Sequence, residues 1–175
     1  LAAALPDVSA DGLTWTFRLK EGLHYGPPLQ DVEITAPDFV RSFHRLFSPA
    51  LVSWWCYDFT MIEGATEYNS GEAASISGLE APDDHTLVIR LTQPTGDFGA
   101  RLAESATGPL PPDPAHPEAA FGIAEGADTG YGPFLVSSGP YMLEGSEKLD
   151  FSVPAAAPAP AARGGSGRPP RVPDT

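Results

Sequence analysis

Residues 11–46, DGLTWTFRLKEGLHYGPPLQDVEITAPDFVRSFHRL, read as a strand, a turn and then a marked amphipathic helix, a pattern that sets helix beside sheet. Over residues 13–20 the side chains alternate. Leu13, Trp15, Phe17 and Leu19 share one face, Thr14, Thr16, Arg18 and Lys20 the other, so one face is expected to meet a core and the other water. The helix start is equally legible. Thr35 can cap it, Asp38 three positions on can close a capping box or favour the positive helix end, and Pro37 suits a first turn. Phe39, Val40, Phe43, Leu46 and Phe47 then recur at helical spacing, and Ser48-Pro49 is expected to stop the helix.

The rest of the chain breaks into shorter pieces. Residues 61–68 predict a short helix ended by Asn69-Ser70-Gly71. Residues 76–91, ISGLEAPDDHTLVIRL, read as a hairpin: a strand over 76–81, a turn at Pro82-Asp83-Asp84, and a return strand over 86–92 with Leu87, Ile89 and Leu91 on one face. A short helix is expected over 97–105, where Phe98 and Leu102 lie four apart. Residues 108–117, GPLPPDPAHP, carry too many prolines for helix or ladder and read as an extended segment, hydrated or docked on a surface. A Gly-rich loop is expected over 122–132, then strands over 134–142 and 149–153. After residue 153 the composition turns to PAAAPAPAARGGSGRPPRVPDT, which cannot bury a core and is expected to be disordered.

Composition excludes several classes of function. A formal net charge of −13 argues against nucleic acid or an anionic membrane surface as partner, since both call for clustered Lys and Arg. No apolar run reaches the ~20 residues that span a bilayer, so contact with a membrane is expected only through a tether. Residues 1–10 lack the basic region and apolar run of a secretory leader, which by itself says little about location. Cys56 stands alone and reads as a small buried hydrophobe rather than a nucleophile. His24, His44, His85 and His116 are dispersed over different predicted elements, and neither they nor Cys56 show the spacing of a zinc site. Glu80, Asp83 and Asp84 surround a predicted turn, where carboxylates form Asx turns and stay solvated. There is no G-x-S-x-G elbow, no phosphate-cradling Gly loop followed by Lys and Ser or Thr, and no H-E-x-x-H helix, so catalysis has no visible apparatus.

The segment LVSWWCYDF, residues 51–59, is the best candidate for ligand contact. Large aromatic side chains in a loop after a helix stop are costly to leave in water and useful for stacking on apolar parts of a ligand. The competing role for them is packing, either in the core or against a further part of the fold.

The order of these motifs resembles the family 5 extracellular solute-binding proteins of ABC importers, the oligopeptide- and dipeptide-binding type. The resemblance rests on DGLTWTFRLK, a turn, then ITAPDFVRSFHRL, followed in register by ISGLEAPDDHTLVIRL and by SSGPYML at residues 137–143. It implies an α/β fold: a partial periplasmic-binding-protein lobe (class II) of short hairpins and helices, over residues 1–153, mostly the small lobe and re-entering the larger one near 134–153. Residues 154–175 would then be a low-complexity tail and the whole a fragment. It further implies a substrate-binding component outside the membrane, in the periplasm or as a lipoprotein at the cell surface. Such a component takes a peptide or peptide-like ligand, hands it to permease subunits, carries no cofactor or metal, and performs no catalysis. By position the resemblance carries ligand contact to Trp54, Trp55 and Tyr57. The alternatives are another cargo within the family (nickel chelate, haem or oligosaccharide) and, outside it, a secreted enzyme or surface interaction module.

Overall fold

A computed structural model describes residues 1–49 and 53–112, together with 123–124, 127–128, 138–139 and 144. Its centre is a four-stranded antiparallel sheet. The strands are β1 (Asp7–Val8), β2 (Thr14–Arg18), β3 (Leu79–Asp83) and β4 (Thr86–Arg90), in the spatial order β1-β2-β4-β3. The alternation in β2 works as the sequence predicts. Trp15 pairs with Ile89 and Phe17 with Leu87, so both strands turn their apolar side chains to the same face. Arg18 and Lys20 face water, whereas Thr14 and Thr16 are half-buried.

The helix α1 (Ala36–Leu46) packs across β3 and β4. Its start is held by the carboxylate half of a capping box: the Thr35 N–H donates to Asp38 Oδ2 at 2.9 Å. Asp38 is itself buried and also accepts from the Tyr25 hydroxyl at 2.9 Å and from the Arg41 guanidinium. The expected stripe faces inward. Phe43, Leu46 and Phe47 are buried, Phe39 and Val40 half-buried, and the helix ends at Phe47 just before Ser48-Pro49.

Several expected boundaries move, each for a physical reason. Residues 61–62 do not start a helix, because Ile62 bridges to Leu91 and the Thr92 N–H bonds the Met61 carbonyl at 2.8 Å, extending the sheet instead. The helix α2 (Ala65–Ser70) therefore begins after Gly64 and ends, as expected, on Gly71, whose φ of 80° is the left-handed conformation glycine supplies at helix ends. In the hairpin, Pro82 and Asp83 belong to β3 and not to the turn. The connection is Asp84-His85, with the His85 N–H bonded to Asp83 Oδ1 at 2.9 Å. Pro82 is tolerated because β3 is an edge strand with an irregular register between Glu80 and Asp83. The helix expected over 97–105 shortens to α3 (Phe98–Arg101), followed by a 3-10 turn, Ser105–Thr107.

The described part of the proline segment docks on α1, as the Leu110 N–H bonds the Asp38 carbonyl at 3.2 Å and Arg41 Nε bonds the Leu110 carbonyl at 3.4 Å. Within the stretch expected as a Gly-rich loop, β5 (Ile123–Ala124) and β6 (Ala127–Asp128) pair antiparallel. Ser138-Gly139, expected in a strand, form a bend before Pro140. The remainder of the strands expected over 134–142 and 149–153, and the tail from residue 154, lie outside the described residues.

A chain of aromatic rings ties the layers together. Phe43 of α1 meets Phe59 edge-on at 5.6 Å, Phe59 meets Phe98 of α3 at 6.5 Å, and Phe98 meets Trp15 of β2 at 5.4 Å. Phe43, Phe59 and Phe98 are all buried, so four elements share one core.

Candidate functional site

The aromatic segment expected as a loop is a 3-10 helix, Trp54–Phe59. That geometry sorts its side chains. With three residues per turn, positions i and i+3 eclipse, so Cys56 and Phe59 fall on one side and Trp54 and Tyr57 on another. Phe59 is fully buried and Cys56 packs half-buried against the same core, its Sγ–H donating to the Ser53 carbonyl at 2.9 Å. Trp54 is 82% exposed, Tyr57 71% and Trp55 45%. The three residues picked out by sequence are thus brought together on one short element, outside the core formed by the described residues. Asp58, between Tyr57 and Phe59, adds an exposed carboxylate to the same element.

The segment is held from α3. Arg101 Nη1 donates to the Asp58 carbonyl at 3.0 Å, while Arg101 Nε donates to Asp97 Oδ2 at 3.1 Å. Neither Arg101 nor Asp97 carries a sequence signal beyond an acid and a base four apart on a predicted helix.

A concavity apart from the aromatic segment was not foreseen. A cavity of about 430 Å³ opens beside the sheet, walled by Leu5, Phe17, Phe39, Leu87 and Leu102, with Glu104 the one charged side chain of its lining. Trp54, Trp55 and Tyr57 do not line it.

Three other titratable groups are shifted by structural contacts. Asp83 sits below the usual carboxylate range because its carboxylate accepts the His85 N–H and a hydrogen bond from Thr86. Glu80 is lowered by its paired bonds to the Arg90 guanidinium, one of them 3.1 Å. Burial lowers His44, whose Nε2 accepts the Ile76 N–H at 3.2 Å and whose ring meets Tyr68 edge-on at 4.9 Å. His24 is exposed and His85 half-buried, each on a different element, and among the described residues no three His, Cys, Asp or Glu side chains gather to hold a metal ion. His116 lies outside the described residues.

The described residues form a mixed helix and sheet unit that displays three aromatic rings on one short element. The comparison with known proteins makes the class specific. Residues 1–153 match the bacterial extracellular solute-binding proteins, family 5 Middle, and the chain belongs to that family. It is 35% identical over 105 residues to a dipeptide-binding protein of Lactococcus lactis, covering 59% of this chain and 18% of that one. Among solved structures it resembles clavulanic acid biosynthesis oligopeptide binding protein 2, with a TM-score of 0.61 and 28% identity over 81% of this chain and 24% of the other. It also resembles Haemophilus influenzae OppA in complex with RPPGFSPFR, with a TM-score of 0.56 and 27% identity over 63% of this chain and 21% of the other. The chain thus spans between 18% and 24% of the length of these relatives.

Proposed function

We propose that this chain is part of the substrate-binding component of an ABC importer, which binds peptides or peptide-like solutes and delivers them to a permease. Its place is outside the cytoplasm, in the periplasm or tethered at the cell surface, and its mechanism is binding with closure of two lobes rather than catalysis. The family match over residues 1–153 carries this reading, and the relatives named for dipeptides and oligopeptides support peptide as cargo. Trp54, Trp55 and Tyr57 face the ligand or the cleft around it. Three exposed rings on one short element give flat apolar area at low entropic cost, suited to peptide side chains whose main chain is bonded elsewhere.

A chimera tests this. The segment of Haemophilus influenzae OppA that aligns with this chain is replaced by the corresponding residues, and RPPGFSPFR is titrated into the product by calorimetry. The peptide is expected to bind, and Trp54→Ala or Tyr57→Ala should each weaken it by roughly two- to tenfold, the worth of about 0.5–1.5 kcal/mol per aromatic contact. Unchanged affinity together with lowered stability would instead assign the rings to packing against the other lobe. The 175-residue chain alone, holding about a fifth of such a protein, should bind the same peptide weakly or not at all. Micromolar binding to it would contradict the two-lobe mechanism.

A further inference from the structure

We propose that Arg101 is a positioning residue for the aromatic turn, holding Trp54–Phe59 in the orientation that presents Trp54 and Tyr57. The inference rests on the reading that this turn contacts the ligand, and it concerns how the contact surface is kept in place.

The turn is attached to α3 at two points one helical turn apart. Phe98 meets Phe59 edge-on and fixes where the end of the turn sits, but a ring contact leaves it free to tilt. The second point removes that freedom. Arg101 Nη1 bonds the Asp58 carbonyl at 3.0 Å, so the peptide plane between Asp58 and Phe59, next to Tyr57 in the turn, has a set direction. The guanidinium is a rigid planar fork, and its Nε is bonded to Asp97 Oδ2 at 3.1 Å, so Asp97 sets the direction of the fork and the fork sets the turn. A lysine ammonium could reach one of these oxygens, but it has no fixed second N–H through which the first contact is oriented.

Exposure separates this role from a general contribution to stability. Arg101 is 33% exposed and Asp97 61%, and an ion pair so open to water adds little to the folding free energy. The bond to Asp58 therefore acts locally, on the one element that carries the exposed rings.

The test uses the 175-residue chain without ligand. In a Trp15→Phe background, which keeps a ring against Phe98, emission comes from Trp54 and Trp55 only. Time-resolved anisotropy and acrylamide quenching are then read beside the thermal midpoint. Arg101→Ala should lose part of the slowly decaying anisotropy and quench more readily, with the midpoint unmoved, because the rings gain motion on the nanosecond scale of loops. Asp97→Asn should shift the same readouts in the same direction by less, and Arg101→Lys should resemble Arg101→Ala. Unchanged anisotropy in Arg101→Ala, full rescue by Arg101→Lys, or a collapse of the midpoint in place of a local change would each overturn the proposal. Since no ligand is present, these results are independent of the peptide titration that decides whether the turn touches a ligand.

Discussion

Asp38 is a buried carboxylate in the first turn of α1, and its neighbours show why it is there. It accepts from the Tyr25 hydroxyl, the Thr35 N–H and Arg41, so one buried carboxylate satisfies a loop, a helix cap and a half-buried cation together. Asp38→Ala should cost about 3–5 kcal/mol in urea unfolding, because it removes the carboxylate that balances the Arg41 charge and accepts two further hydrogen bonds; a loss well under 1 kcal/mol would show that the cluster contributes little. His44 gives the chain a pH dependence of definite sign. Its Nε2 must be unprotonated to accept the Ile76 N–H, and burial lowers its folded pKa below the ordinary value of 6.5. The unfolded chain therefore binds the proton more readily, so the stabilisation is complete above about pH 6.5 and is lost as pH falls through that value toward the lowered one. Comparing the unfolding of wild type and His44→Phe at pH 7.5 and 5.5 checks this, and a wild-type loss no greater than that of the variant would contradict it. At Gly78 a Cβ would lie 2.7 Å from the Arg90 carbonyl and 2.8 Å from the Glu63 carbonyl, both main chain. Gly78→Ala must spread the strand ladder there, with an expected loss of about 1–3 kcal/mol measured by urea unfolding.

At the scale of elements, periodicity was legible and termination was not. Thr35, Asp38 and the Phe39 to Phe47 stripe announce α1, because a cap and an apolar face are local properties of sequence. The ends of α2 and α3 and the turn of the hairpin depend on partners distant in the chain. Residues 61–62 abandon helix for a bridge to Leu91, and Pro82 stays within a strand because β3 lies at the sheet edge. Phe59 decides how the aromatic turn sits, since its ring joins Phe43 to Phe98. Phe59→Ala should cost about 3–5 kcal/mol by urea unfolding, from lost burial and the cavity left behind. A loss under 1 kcal/mol would mean the turn is not anchored there.

For the whole molecule, charge is the dominant long-range property. With 23 acidic and 10 basic residues the chain repels itself, so its thermal midpoint should rise as sodium chloride is added from low ionic strength, as screening relieves the repulsion. A midpoint that falls steadily with salt would show that exposed pairs such as Glu80–Arg90 outweigh the net charge. What sequence alone determined is what local physics writes at short range: an alternating strand, a capped helix, an α/β class, and the family to which residues 1–153 belong. It also picked out the segment 51–59, because aromatics beyond a helix stop stand out from the stripe before it, and the family resemblance pointed within it to Trp54, Trp55 and Tyr57. Cys56 was legible as a small apolar side chain, but only tertiary structure decided that Phe59 turns inward beside it while those three turn out, through the three-residue period of a 3-10 helix anchored by Phe59. Only it placed Arg101 on the Asp58 carbonyl, 43 residues away, since a contact across that separation leaves no pattern in a single sequence.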